Sequence, residues 1–179
     1  MTTDPIEPDT KDWTWVLERP CAECGFDASL VDRADLARVL QANAQAWVAK
    51  LGHLGVAERP DPQVWSPLEY ACHVRDVHRV FAERIARMLD EDEPHFANWD
   101  QDATAVEDRY ASQDPEQVAS ELADAADAVG QRYTEVTGDQ WQRRGARSDG
   151  SEFTVDTLAR YHLHDAVHHA YDVGLEAPG

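Results

Sequence analysis

The 179-residue chain has no run of 18 apolar residues, so no stretch of it reads as a membrane span. Its first residues, MTTDPIEPDTKDWTW, contain neither the basic cluster nor the apolar core of a secretory signal, and a cytoplasmic location is the default expectation. Basic residues are few: 16 Lys and Arg stand against 35 Asp and Glu, a formal net charge of −19. A surface that acidic repels phosphate backbones and anionic lipid, which argues against nucleic acid or a membrane as partner and leaves a small-molecule substrate. The three cysteines, Cys21, Cys24 and Cys72, are too few and odd in number for the disulfide framework of a small secreted domain. Strand-period alternation is nearly absent as well, and no sheet of three or more strands is expected.

What is present is helical and globular. An apolar fraction of 42% with 28% charged residues suits one domain with a single core. Leu36, Val39, Leu40, Trp47, Val48 and Leu51 recur at helical spacing and predict a first helix over about residues 32–51, with Gly52 in the C′ position. The second helix has the strongest start signal, WSPLEY. Ser66 serves as N-cap, Pro67 as N1 and Glu69 as the N3 partner of a capping box, while Trp65 and Tyr70 are placed as a hydrophobic staple. It runs to about Asp90, and an acidic, turn-rich connection follows, with room for a short turn at 103–111. A third long helix opens on Asp114-Pro115 and stops before Gly138; a last one starts at Thr154, with Phe153 and Leu158 as its staple, and ends at Gly174. Four helices with long connections predict an all-α four-helix bundle with crossovers.

The histidines carry the chemistry. In YHLHDAVHHAYDVG, His164 and His168 lie one turn apart on one helix face, at the edge of a stripe formed by Ala159, Leu163, Ala166, Val167, Ala170 and Val173. That spacing lets two neutral imidazoles meet one ion, with zinc or nickel as the usual partner. Two ligands do not complete a site, and a partly solvated polar face explains many HxxxH pairs. His73, two turns into the second helix, is a third candidate, because an imidazole on the border of the buried face formed by Leu68, Cys72, Val77 and Phe81 needs a partner. His78 is expected at the surface, His162 and His169 off the 164/168 face, and His53 and His95 in loops. HDAVH is not a zincin motif: Asp165 is one methylene short of the glutamate base, and its expected role is to orient an imidazole or to bind across a helix contact.

WSPLEYACHVRDVH followed far downstream by YHLHDAVHHAYDVG resembles the DinB/YfiT-like metalloenzyme superfamily, over roughly residues 30–175. The resemblance implies a bundle of up-down-down-up topology and a triad of one His eight residues after a Trp, here His73 after Trp65, with an HxxxH on the last helix, here His164 and His168. It implies a divalent metal and, from relatives such as mycothiol-dependent maleylpyruvate isomerase and the mycothiol or bacillithiol S-transferases, a small thiol cosubstrate whose sulfur the metal would activate. Other relatives are described as hydrolases, where the metal would activate water. A metal-dependent hydrolase therefore stays open beside a thiol-dependent transferase or isomerase. So does a non-catalytic bundle with a structural metal, or a metal-free bundle that forms a homodimer.

Ahead of the bundle, expected at 31–179, an arm spanning 1–30 carries WTWVLERPCAECGFD. Its CxxC followed by Gly is shaped like half of a zinc knuckle, but no second cysteine pair completes a four-cysteine site, Cys72 being the one other thiol. A tight structural turn, a role near the metal and redox use remain the alternatives for Cys21 and Cys24. Trp13 and Trp15 are placed to pack the arm over the bundle.

Overall fold

The computed structural model describes residues 6–8 and 11–175; the outermost positions of the expected arm and bundle lie outside them. Five helices carry the fold: α1 (Leu36–Leu51), α2 (Pro67–Asp90), α3 (Gln101–Glu107), α4 (Pro115–Glu135) and α5 (Val155–Asp172). The short α3 sits in the acidic connection, where the sequence allowed only a turn. The four long helices form the bundle, in up-down-down-up order. α4 lies between α1 and α2, and α5 closes the other side against α2 and α1. No helix among the described residues is long and apolar enough to cross a membrane.

The caps set where the long helices begin. Ser66 accepts the Glu69 amide while Glu69 accepts the Ser66 amide, so both halves of the α2 capping box form. The Trp65 and Tyr70 rings meet edge to face at 5.5 Å, and the carboxylate of Glu69 is locked by a two-pronged bond from Arg59. Asp114 caps α4 and Thr154 caps α5 through the amides of Gln117 and Thr157. α1 starts later than expected: Asp32 caps a 3-10 turn, Arg33–Asp35, and the α-helix proper follows at Leu36. Gly52 keeps a right-handed φ of −72°; the left-handed turn falls at Gly55.

Leu36, Leu40, Phe81, Ile85, Met88, Val129, Tyr133 and Leu158 fill one part of the core; Trp47, Leu68, Val74, Tyr110 and Leu122 fill the other. A buried ionic knot ties the acidic connection to α2. Tyr110 donates to Asp76 at 2.6 Å, and Arg75 bonds Asp76, Gln113 and Glu121.

Two expectations are corrected. A three-stranded sheet does form: β1 (His95–Phe96) pairs parallel with β2 (Arg144–Arg147), which pairs antiparallel with β3 (Glu152–Thr154). Strands of two to four residues are too short to leave a period in the sequence, and this sheet only clips the two long connections together. Gly145 is required in it, because a Cβ there would stand 2.9 Å from Met88 Cγ and 3.0 Å from Phe96. The second correction is His78, which is fully buried and not at the surface. Its Nδ1 lies 2.8 Å from His162 Nε2, and His162 Nδ1 lies 2.8 Å from the Tyr133 hydroxyl. Partners from three helices make burial tolerable, with His78 Nε2 as the unpaired end of the chain. Burial lowers His78 to about 4 and His162 well below its ordinary value, so both imidazoles are neutral in the fold.

Candidate metal centres

The capping box fixes where α2 begins, and therefore places His73 two turns in, fully buried. Its ring stacks on Trp99 at 5.4 Å and 6° and lies 5.5 Å from Trp65. From α5, Asp165 Oδ1 comes within 3.4 Å of His73 Nε2 and 3.6 Å of His169 Nε2. The ligand atoms of His73, Asp165 and His169 all lie within 4.8 Å of one another.

These separations are long for hydrogen bonds. They suit the edges of a coordination sphere: two nitrogen or oxygen ligands about 2.05 Å from a tetrahedral ion stand roughly 3.3 Å apart. Both His73 nitrogens and Asp165 Oδ1 are buried without a hydrogen-bond partner. Orphaned polar atoms on two facing helices are costly unless something binds them, so the donor set fits a divalent cation. Burial, above all, lowers the His73 imidazole from its ordinary value. Burial alone would raise the Asp165 carboxyl, but the flanking imidazoles outweigh it and hold the group well below the usual carboxylate range. Neutral imidazole and ionised carboxylate are the ligand forms. His169 Nδ1 lies 2.9 Å from Asp172, a contact that fixes the ring and leaves Nε2 toward the cluster.

A second group lies one residue out of phase on the same helix. His164 and His168 turn toward the arm and meet Cys21 and Cys24, with one ligand atom from each within 4.8 Å of the others. Cys21 Sγ is 3.8 Å from His168 Nδ1, and His168 Nε2 faces Glu23 at 3.6 Å and Asp172 at 3.9 Å. Burial lowers His164 to about 4, lowers His168 as well, and pushes the Cys24 thiol up to about 11. The turn that presents both thiols closes through Gly25 N–H to Cys21 O at 2.9 Å and Cys21 N–H to Phe26 O at 2.8 Å. Gly25 takes φ +75°, a conformation that penalises a side chain. Trp13 follows the arm down and sets its ring 4.9 Å from that of His168.

Thus the three ligands expected from the sequence are divided. His73 stands in one group, while His164 and His168 stand in the other. Asp165 makes the cross-helix contact expected of it. Asp165 and His169 are the residues that sequence reasoning did not place in a ligand set, while a role near the metal was one of the alternatives for Cys21 and Cys24. Both groups had a visible signal: Asp165 and His169 repeat the i, i+4 spacing of His164 and His168, and C-x2-C with H-x3-H is the ligand spacing of a Cys2His2 zinc site.

A cleft of about 820 Å³ opens over both groups. Asp165 and His169 of the first and His164 and His168 of the second lie in its wall, with Trp13, Trp65, Tyr70, Trp99 and Tyr161 as aromatic faces and Asp100, Asp149 and Asp172 among its acids. Arg147, paired to Asp149, stands over the Tyr161 ring.

The sequence pattern of the DinB superfamily matches residues 35–172. Among solved structures, YfiT from Bacillus subtilis superposes with a TM-score of 0.68 at 17% identity, over 80% of this chain and 89% of YfiT. YfiT is described as a probable metal-dependent hydrolase with an unusual four-helix bundle topology. At that identity the likeness speaks for the fold. No curated protein matches the sequence.

Proposed function

The chain belongs to the DinB superfamily, and from that premise we propose that it is a metal-dependent enzyme that joins a small electrophile to a low-molecular-weight thiol, as an S-transferase or isomerase. The observation that carries the proposal is the His73, Asp165 and His169 group beside the cleft, with orphaned ligand atoms on two facing helices. A divalent ion held there, zinc or nickel by its donors, supplies a positive charge that lowers the pKa of a thiol or water in the positions left open by three protein ligands.

The chain's own residues do the rest. Asp172 orients His169, and the stacked Trp99 fixes the plane of His73. The reacting sulfur comes from outside, since Cys21, Cys24 and Cys72 do not line the cleft. A volume of about 820 Å³ is near the upper end of small-molecule sites and leaves room for two reactants together. Its aromatic faces suit the apolar side of a sugar-bearing thiol such as mycothiol, and its carboxylates suit the hydroxyls.

A metal-dependent hydrolase is the second reading, favoured by the description of YfiT. The two separate in one assay series. Metal-loaded protein should either consume a thiol, mycothiol first, in the presence of an electrophile (transferase) or convert an unsaturated substrate to its isomer only when the thiol is present, returning the thiol unchanged (isomerase). His73→Ala should abolish either activity. Turnover of an ester or amide with no thiol present would favour the hydrolase, and failure of the wild type to bind a divalent ion would remove both readings.

A further inference from the structure

We infer that Cys21, Cys24, His164 and His168 form a second metal site, a closed tetrahedral zinc site that fastens the N-terminal arm to α5. It stands apart from the His73 group, with which it shares no ligand.

The donor set selects the ion. Two thiolates and two imidazoles, with C-x2-C on a tight turn and H-x3-H on a helix, suit a borderline-soft, tetrahedral cation. The dimensions agree: sulfur at about 2.3 Å and nitrogen at about 2.05 Å from a tetrahedral ion stand roughly 3.6 Å apart, and Cys21 Sγ to His168 Nδ1 measures 3.8 Å. No disulfide joins the two cysteines. His164 is 3% exposed, and its Nε2 is buried without a hydrogen-bond partner. Glu23, inside the CxxC itself, faces the distal nitrogen of His168, as an outer carboxylate does for a ligating histidine.

Four protein ligands leave no position for substrate, so the role is structural. The arm is otherwise held by apolar packing, with Val16 and Ala28 buried and Leu17 and Phe26 against the core, and by a bond from Arg160 to the Ala28 carbonyl; the ion would add a fastening at its CxxC turn. Trp13 forms part of the cleft wall and packs on both His164 and His168. The ion would therefore hold one wall of the substrate cleft, and its loss would loosen the arm without dismantling the bundle.

Metal analysis of the full chain tests this, with cobalt substitution and limited proteolysis alongside. The wild type should bind about two ions per chain, with a sulfur-to-cobalt charge-transfer band before any thiol is added. Cys21→Ser/Cys24→Ser should bind about one, lose the band, and be cut in the arm at a wild-type-like helical circular dichroism signal. His73→Leu should also bind about one but keep the band, so failure of the catalytic reading and failure of this one look different. If the Cys variant binds as much metal as the wild type, the inference is wrong. A Cys21–Cys24 disulfide in protein purified under reducing conditions would also overturn it, as would a single thiolate-free ion lost equally in His73→Leu and His164→Ala.

Discussion

His73→Leu should stabilise the protein stripped of metal and destabilise it when metal is present. In the fold, His73 is fully buried and neither ring nitrogen has a hydrogen bond, Nε2 standing 3.4 Å from Asp165 Oδ1. Each such atom costs about 1–3 kcal/mol relative to its hydrated state in the unfolded chain. Leucine has no polar atom to strand and a similar volume. Against that relief stands the lost stacking on Trp99, about 0.5–1.5 kcal/mol, and the lost contact with Asp165. Asp165 keeps His169 at 3.6 Å, and its side chain is 23% exposed, so water can take over part of the interaction. The net gain in chelator should be about 1–2 kcal/mol, or roughly 2–8 °C in Tm for a chain of this size. With zinc at a thousand times its Kd, the wild type gains about 4 kcal/mol at this group and the variant gains nothing. Binding at the four-ligand site raises both proteins equally and drops out of the difference. Urea unfolding with chelator and with zinc measures both terms. Loss of more than about 1 kcal/mol in chelator would show that His73 is satisfied without metal and refute a metal-binding role for it.

Other perturbations test the frame around the site. Tyr133→Phe removes the partner of His162 Nδ1 and should cost about 1–3 kcal/mol in urea unfolding, and an effect below 0.5 kcal/mol would mean that the bond contributes nothing. In metal-free protein, stability should fall as pH drops from 6.5 to about 4, the window between the ordinary and folded values of His78. There the unfolded chain protonates His78 and His162 while the fold keeps them neutral, so it holds more protons, and the slope reaches about 1.4 kcal/mol per pH unit for each histidine. A flat profile by denaturant titration across that window would contradict their burial as neutral groups. Glu69→Ala breaks the capping box and strands Arg59, which should cost about 2–4 kcal/mol. If Arg59→Ala/Glu69→Ala costs the full sum of the single variants, the two residues are not coupled.

How much of this could be read from the sequence depended on how local each signal was. The long helices announce themselves because Ser66, Asp114 and Thr154 act within one turn of chain, and each makes the expected cap in the structure. The sheet was invisible because its strands are two to four residues long, and one of its two pairings joins positions about fifty residues apart. His78 was misplaced because the partner that buries it, His162, lies on another helix. The candidate site shows the same division. His73 is fixed by counting from Trp65, since the capping box sets the helix start. The phase of α5 about its own axis has no such local marker, and its apolar stripe is not sharp: Val155, Leu158, His162, Leu163 and Ala166 are all buried as well.

That phase decides which side chains meet which neighbour. Successive residues on a helix are turned by about 100°, so pairs offset by one residue serve different neighbours. His164 and His168 meet the cysteines of the arm, while Asp165 and His169 meet His73 of α2, and all four line the cleft. Two i, i+4 pairs, interleaved over six residues, let one helix contribute to two candidate ligand groups of different character. The arm-side group has two sulfurs and two imidazoles, four donors that would close a coordination sphere. The other group has one carboxylate and two imidazoles, three donors that would leave it open. Asp172 stands at the join, 2.9 Å from His169 Nδ1 and 3.9 Å from His168 Nε2. An ion on either side would draw electron density from its imidazole and strengthen that ring's hold on the same carboxylate, so the rigidity of one centre limits the freedom of the other. If both proposals hold, the CxxC arm belongs to the working architecture of the site: it carries Trp13 to the cleft, and through His168 and Asp172 it would brace His169.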